Sequence, residues 1–420
     1  MTGFVEARSG ERIAVPDYSN SCISQLPGFF SNTLLGENGG PLTLKVGTRL
    51  PLSGIRSVVF LLVDGFGMKQ WNNQQAELPA LQRFTKDGFL TELDSVFPSS
   101  TPVALSTLNT NGLLPAEHGL IEWFLYLEEI DGIIATIPFS EMGSREQDSL
   151  LHRGLNPRVL LDNPTTTYET FEKLGIATRV FLPRDFVGGA YTNKVYRGSE
   201  LVPYDDYSEL FSTLVEKLEE PERTTYNFVY WGDIDGVGHR FGPDSFEYEE
   251  AVRAFFGQLD CFLTQMESLK DTLFVISADH GQVGADPRET FYLDKVPGLF
   301  DLFKISQGGR PILPWGGARD VFLAIRDGKV EKALDLIGKA MGDDALMVES
   351  QVAIEAGLFG KVNKKHPQLR SRIGDILVLP KVGKTVWYHH PGQGEMKLLG
   401  QHGGLSKDEI KVPFGLLRIN

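Results

Sequence analysis

The hydrophobic pattern of the chain changes near residue 55. Before that point Gly, Pro, Ser and Asn are frequent and no period is sustained, so the first 50 residues read as an irregular lead-in. From Ile55 onward, short apolar runs alternate with amphipathic stretches. Four runs are continuous and rich in β-formers: Val58–Val63, Ala177–Leu182, Asn227–Trp231 and Thr272–Ser277. Runs that are apolar at nearly every position suit strands covered on both faces, as in a parallel sheet between helix layers. Leu210, Phe211, Leu214, Val215 and Leu218 form one helical stripe between them. Val252, Phe255, Phe256, Leu259, Phe262, Leu263 and Met266 form another, with a start signal in Pro243, Asp244 and Glu247. This rhythm predicts an α/β fold: a mostly parallel central sheet with helices on both faces.

After Gln282 the pattern is broken by Pro287, Gly308-Gly309, Pro311, Pro314 and Gly316-Gly317. Strand-like Val321–Ile325, a helical stretch from Lys329, and strand-like Asp375–Leu379 are enough for a small α/β insertion. The expected division is a core of residues 1–285 and 395–420, with 286–394 as an inserted cap. No internal repeat or low-complexity tract occurs.

With 41% hydrophobic residues among 420, the chain can bury a large core and is not disordered. Its 41 basic and 55 acidic side chains give a formal charge of −14, which argues against a duplex nucleic-acid surface. An acidic protein that binds anions needs a local source of positive charge, and metal ions are one. Two cysteines, Cys22 and Cys261, are too few for a disulfide framework or a Cys-rich zinc module. The opening residues Met1–Arg12 show no secretory pattern. The strongest apolar run, Ser57–Val63, falls far short of the roughly 20 residues that span a bilayer. The expectation is a soluble, cytoplasmic protein without a membrane partner.

Ligand-type side chains follow several of these runs. Asp64 stands directly after Val63, where open α/β sheets bind ligands, although Asp before Gly also suits a plain turn. Ser99, Ser100 and Thr101 lead into a helix-like segment; there a hydroxyl can cap the helix or sit where phosphate is welcome. After the Asn227–Trp231 run, Asp235 and His239 lie four apart in a Gly-containing stretch read as a loop, which can fold both onto one ion. Asp279 and His280 follow the next run, and His402 sits in the Gly-rich turn Gly400–Gly404. In a parallel sheet the strand ends share one rim. Ligands for two divalent ions would then meet beside one hydroxyl.

The order VDGFG, FPSSTP, DGVGH, ADHG and HGG resembles the alkaline phosphatase superfamily, specifically its type I phosphodiesterase/nucleotide pyrophosphatase branch. The resemblance spans about Val58 to Gln282 and the stretch around His402. It implies an alkaline-phosphatase-like core and a hydrolase that cleaves phosphodiester or pyrophosphate bonds in a small phosphorylated substrate, a nucleotide or another diester. One metal would be held by Asp64, Asp279, His280 and Thr101, the other by Asp235, His239 and His402. The ions would most readily be Zn²⁺, with Mn²⁺ or Fe alternatives. Thr101 aligns with the family's nucleophile, implying in-line attack on phosphorus and a phospho-threonine intermediate that water later hydrolyses.

Family members in eukaryotes carry Asn three residues after the nucleophile, where this chain has Ala104. The phosphoryl oxygen must therefore find another donor, which bears on the nucleotide substrate. No guanidinium neighbours Thr101, which favours a diester or anhydride over a monoester dianion, although Arg240 could supply charge from another segment. The alternative is a phosphomonoesterase, phosphonate hydrolase or phosphomutase using the same site. A sulfatase lacks its C/S-x-P-x-R context here, and a metal-stabilised binding protein is a third reading. His118 is read as a structural hydrogen-bonding residue, and His152, His366, His389 and His390 match no ligand position. Trp123 and Phe124 are read as core residues that could alternatively wall a pocket.

Overall fold

A computed structural model of the chain describes residues 13–144, 146–220, 223–267 and 269–419. The stretch Met1–Arg12, read above for a leader, lies outside the described residues. Seven strands form the central sheet: β1 (Ser57–Val63), β2 (Phe89–Asp94), β3 (Ala177–Pro183), β4 (Glu200–Tyr204), β5 (Thr225–Trp231), β6 (Thr272–Ser277) and β7 (Lys411–Ile419). Their spatial order is β2-β7-β6-β1-β5-β3-β4. β1 pairs in parallel with β5 and β6, and β3 in parallel with β4 and β5. β7 runs antiparallel between β6 and β2.

The alternation of side chains along β1 divides the core. Val58, Phe60 and Leu62 enter one apolar cluster; Val59, Leu61 and Val63 enter the other. Helices Leu26–Leu35, Thr101–Asn109 and Thr167–Lys173 contribute to the first cluster. Pro79–Lys86, Tyr207–Glu219 and Phe246–Met266 contribute to the second. Each fully buried Leu, Val or Phe contributes roughly 1.5–3 kcal/mol, which is why near-continuous apolar strands settle here. Among the described residues no helix is long and apolar enough to cross a membrane.

Two local expectations change. Much of the stretch read as an irregular lead-in is helical, over Leu26–Leu35 and Pro41–Gly47. Phe29 packs 5.4 Å from Phe414, and Phe30 lies 4.9 Å from Phe60 and 5.3 Å from Tyr226. Pro27 lies in the first turn, where no intrahelical N–H is needed, and Gly36 ends the helix with φ 69°. The apparent breakers are thus the helix's boundaries. The long helix begins at Phe246 rather than near Pro243, because Ser245 Oγ accepts from the Tyr248 amide at 3.2 Å.

Within 286–394, strands Trp315–Gly317, Asp320–Leu323, Ile376–Pro380 and Ala345–Glu349 make an antiparallel sheet in that order. One face packs on the helix Val330–Met341 through Val321, Leu323 and Val378. The other face, with Phe322 and Leu377, merges into the first main cluster. It also meets a hairpin of the core, where Tyr126 lies 5.6 Å from Trp315. The strand Val283–Tyr292 runs across the expected boundary at 285/286.

Candidate active site

Sheet register gathers the ligand-type residues. Val63 pairs with Trp231 and Leu62 with Ser277, so β1, β5 and β6 end side by side. Asp64 follows β1, Asp279 and His280 follow β6, and the helix Asp233–Phe241 follows β5. Asp235 and His239 therefore lie one turn apart on a helix, not in the loop expected from the glycines; Gly232 begins that helix and Gly242 ends it. His239 Nε2 lies 3.1 Å from Asp235 Oδ2. Thr101 opens the helix Thr101–Asn109. His402 follows the short strand Gly400–Gln401, which pairs with Val283 and Gly284 just past His280.

All seven side chains meet. Thr101 Oγ1 lies 3.2 Å from His280 Nε2 and 3.4 Å from Asp64 Oδ2. Asp64, Asp279 and His280 form one group whose ligand atoms lie within 4.8 Å of one another; Asp235, His280 and His402 form a second. His280 thus faces both groups, its ring stacked on His402 at 3.7 Å between centroids. His239 flanks the second group, with Nε2 3.2 Å from His402 Nε2.

The electrostatics reflect three carboxylates in one buried space. Burial raises Asp64 well above the usual carboxylate range, and the charges of Asp279 and Asp235 add to the effect. Burial also raises Asp279, against the opposing pull of His280. For Asp235 burial acts upward, but His239 and His402 prevail and hold it low. Burial opposes protonation of His239, yet Asp235 lifts it to about 9. His402 is pushed well below its ordinary value by burial and by His280.

These residues fit a cation. The Nδ1 atoms of His239, His402 and His280 face the carbonyls of Gly400, Ser99 and Gly281 at 2.8, 3.1 and 3.1 Å. Each ring so held turns Nε2 into the acidic cluster, the arrangement of metal-binding histidines. Asp279 Oδ2 is buried without a hydrogen-bond partner. Clustered carboxylates with imidazole nitrogens and an unpartnered oxygen match the donor set of Zn²⁺ and similar ions.

A cavity of about 270 Å³ opens beside Thr101 and Asp64. Its walls include Trp123, Phe186, Tyr191, Tyr196 and Tyr230, and among the described residues no Lys or Arg lines it. The described lining residues come from outside 286–394, from segments that include Trp123, Gln147 and Phe186. Trp123 is a wall, not a core residue, whereas Phe124 packs edge-on against Trp387 at 5.9 Å.

Other readings fall out directly. Ala104 is buried; the Val103 and Ala104 amides bond the Ser100 carbonyl, and Pro102 has no N–H. Arg240 is exposed over the Phe241 ring and lies outside the cavity wall. His118 Nδ1 accepts from the Leu120 amide, and Nε2 lies 3.1 Å from Thr107 Oγ1, a structural role. His152 pairs with Glu146 and His389 with Asp294, away from the site. Sequence reasoning missed Tyr230, whose hydroxyl donates to Asp64 Oδ2 at 2.5 Å, because it sits in an apolar strand. It also missed Gln282, whose Nε2 donates to Asp235 Oδ1 at 2.7 Å. The signal was its place two residues after His280.

The fold and site define a metal-dependent α/β hydrolase. The chain belongs to the type I phosphodiesterase/nucleotide pyrophosphatase family, whose profile matches residues 58–405. It is a hydrolase of the phosphodiesterase/pyrophosphatase class. No curated protein matches the sequence at a significant level. Among solved structures it is similar to murine ectonucleotide pyrophosphatase/phosphodiesterase 5, with a TM-score of 0.64 and 16% identity over 86% of this chain and 89% of that one. An inactive variant of the murine protein, in complex with AMP, matches at TM-score 0.63 and 15% identity, over 86% and 89% of the two chains. The human protein matches at TM-score 0.62 and 16% identity, covering 86% and 87%. At these identities the likeness to solved structures speaks for the fold.

Proposed function

We propose that this chain cleaves phosphodiester or pyrophosphate bonds with Thr101 as nucleophile and two divalent ions, zinc by preference, as cofactors. The observation that carries the reading is the position of Thr101 Oγ1, 3.2 Å from His280 Nε2 and 3.4 Å from Asp64 Oδ2, at the edge of an aromatic cavity. Asp64, Asp279, His280 and Thr101 would hold one ion, and Asp235, His239 and His402 the other. When bound, such ions supply Lewis-acid charge for the attacking and departing oxygens.

The chain's own residues do the rest. The helix Thr101–Asn109 fixes the nucleophile at its first position, and Tyr230 steadies Asp64 through its hydroxyl. The Thr101 hydroxyl gives its proton to solvent as Oγ1 bonds phosphorus and the opposite P–O bond breaks, and the leaving oxygen takes up a proton from solvent, leaving a phospho-threonine. Water then attacks phosphorus, the Thr101 O–P bond breaks, a proton from that water restores the hydroxyl, and the phosphate product departs. The leaving group departs along the cavity wall, where Trp123, Phe186 and Tyr191 offer aromatic faces. A nucleoside is one group of that shape, and the AMP complex of the murine neighbour's inactive variant is consistent with it. Among the described residues the wall lacks Lys and Arg, which favours a singly charged diester over a monoester dianion.

The test is a panel of bis-nitrophenyl phosphate, nitrophenyl phosphate and a dinucleotide, assayed with wild type and Thr101→Ala. Diester turnover should dominate, and Thr101→Ala should abolish it while metal content stays near two ions per chain. Full activity in Thr101→Ala overturns the nucleophile; preferential monoester turnover moves the reading to a phosphomonoesterase.

A further inference from the structure

Behind the turns that carry Thr101 and His402 lies a second acidic cluster that the site above does not use. Glu122 and Asp320 are 2% and 0% exposed. Asp320 begins the insertion's strand Asp320–Leu323, and Glu122 lies just before the hairpin strand Phe124–Leu127. Their carboxylates share the space beside two glycines. A Cβ on Gly403 would lie 2.6 Å from Asp320 Oδ1 and 3.4 Å from Glu122 Oε1; one on Gly317 would lie 2.4 and 3.4 Å from the same atoms. Any side chain at either glycine would fill this cradle.

The polar groups here are incompletely satisfied. Glu122 accepts from the Trp123 amide. Neither Asp320 oxygen makes a hydrogen bond; the Gly317 amide is near but outside bonding geometry. Ser100 Oγ is fully buried and close to Glu122, yet it makes no hydrogen bond of good geometry. The neighbouring Arg319 forks onto both oxygens of Glu409 at 2.9 Å, so that pair compensates itself. Two buried carboxylates therefore lie together, with a hydroxyl beside Glu122, and among the described residues no cation is hydrogen-bonded to either carboxylate; Arg319 attracts Asp320 from a distance only. Buried charges of one sign are costly unless a cation joins them.

We propose that Glu122, Asp320 and Ser100 Oγ form a further cation site, for a hard divalent ion of the Mg²⁺ or Ca²⁺ class. All three donors are oxygens, which such ions prefer and which distinguish this site from the imidazole-rich groups at Asp64 and Asp235. Its place gives it a positioning role. Ser99 and Gly403 form a bridge, His402 Nδ1 faces the Ser99 carbonyl, and Ser99 Oγ donates to the Gly404 carbonyl at 2.9 Å. An ion held between Glu122, beside Ser100, and Asp320 would join this pair of turns to the inserted sheet.

The experiment uses the full chain, loaded with zinc and crystallised, then soaked in Mn²⁺ as the hard-ion probe. Anomalous maps on either side of the manganese edge should show Mn²⁺ between Glu122 Oε1 and Asp320 Oδ1. A map without density there overturns the proposal, whatever it shows at Asp64 and Asp235, which report separately on the proposed function. In solution, equilibrium dialysis of the zinc-loaded protein should show Asp320→Asn binding one Mn²⁺ fewer per chain, and Ser100→Ala binding that ion about tenfold more weakly. Equal Mn²⁺ binding by wild type and both variants overturns it. So does a wild type that Mg²⁺ and Ca²⁺ both fail to stabilise while Asp320→Asn is the more stable protein without them, the signature of a shared proton only. Should Asp320→Asn fail to fold, the map on the unaltered chain and the Ser100→Ala titration decide.

Discussion

Replacing Gly238 by Ala isolates how the Asp235 carboxylate is held. Gly238 lies in the helix Asp233–Phe241, and a Cβ there would stand 1.8 Å from Gln282 Oε1 and 2.8 Å from its Cδ. Gln282 has little room to retreat, because its carbonyl accepts from Gln70 Nε2 at 2.8 Å. The side chain must swing instead, and that breaks its 2.7 Å bond to Asp235 Oδ1. Alanine in a helix interior gains about 1 kcal/mol over glycine. Overpacking costs about 1–3 kcal/mol, and loss of a hydrogen bond to a charged group about 1.5–3 kcal/mol, so the losses win. Net destabilisation of about 1.5–5 kcal/mol is expected. A metal affinity lower by about 10- to 100-fold is also expected, the usual effect of removing a group that orients a ligand. Chelator competition measures the affinity and urea denaturation the stability. Gly257→Ala is the control: it sits in the exposed part of helix Phe246–Met266 with nothing within 4 Å of a new Cβ, and should stabilise by about 1 kcal/mol. The reasoning fails if Gly238→Ala binds metal as tightly as wild type, or gains stability as the control does.

Two further outcomes are expected. Burial pushes His118 down to about 3, below the unfolded value of about 6.5, so the unfolded chain takes a proton that the folded one refuses. That contribution is fully present above about pH 6.5 and is lost as pH falls toward 3, by up to about 1.4 kcal/mol per unit. Denaturation across this window should be less steeply pH-dependent in His118→Asn, and equal slopes would contradict the assignment. Arg319→Met strands the buried Glu409 carboxylate and should cost about 3–5 kcal/mol, whereas Arg319→Met with Glu409→Met should recover part of that loss. A single substitution costing under about 1 kcal/mol would argue against a buried pair.

The central sheet was legible because its strands are buried on both faces and read as continuous apolar runs; β1 and β6 appear almost at their final limits. The gathering of Asp64, Thr101, Asp279, His280 and His402 was legible because each follows a strand or opens a helix at a motif boundary. The helix Leu26–Leu35 was not, since Pro27 and Gly36 imitate loop punctuation while serving as its ends. Asp235 and His239 looked like loop residues because Gly236 and Gly238 are poor helix formers. The second of these is needed for the approach of Gln282, a contact no local pattern announces. Tyr230 and Trp123 were hidden for a related reason: an aromatic in an apolar run reads as core, and only tertiary placement turns it toward a cavity.

The central claim is that one threonine hydroxyl lies where cations and a phosphoryl group meet. The most direct measurement is a crystal of the metal-loaded protein soaked in orthovanadate. The account predicts vanadium bonded to Thr101 Oγ1, with anomalous metal peaks at Asp64, Asp279 and His280 and at Asp235, His239 and His402. Vanadate bound away from Thr101, or metal-free carboxylates around it, would contradict the account.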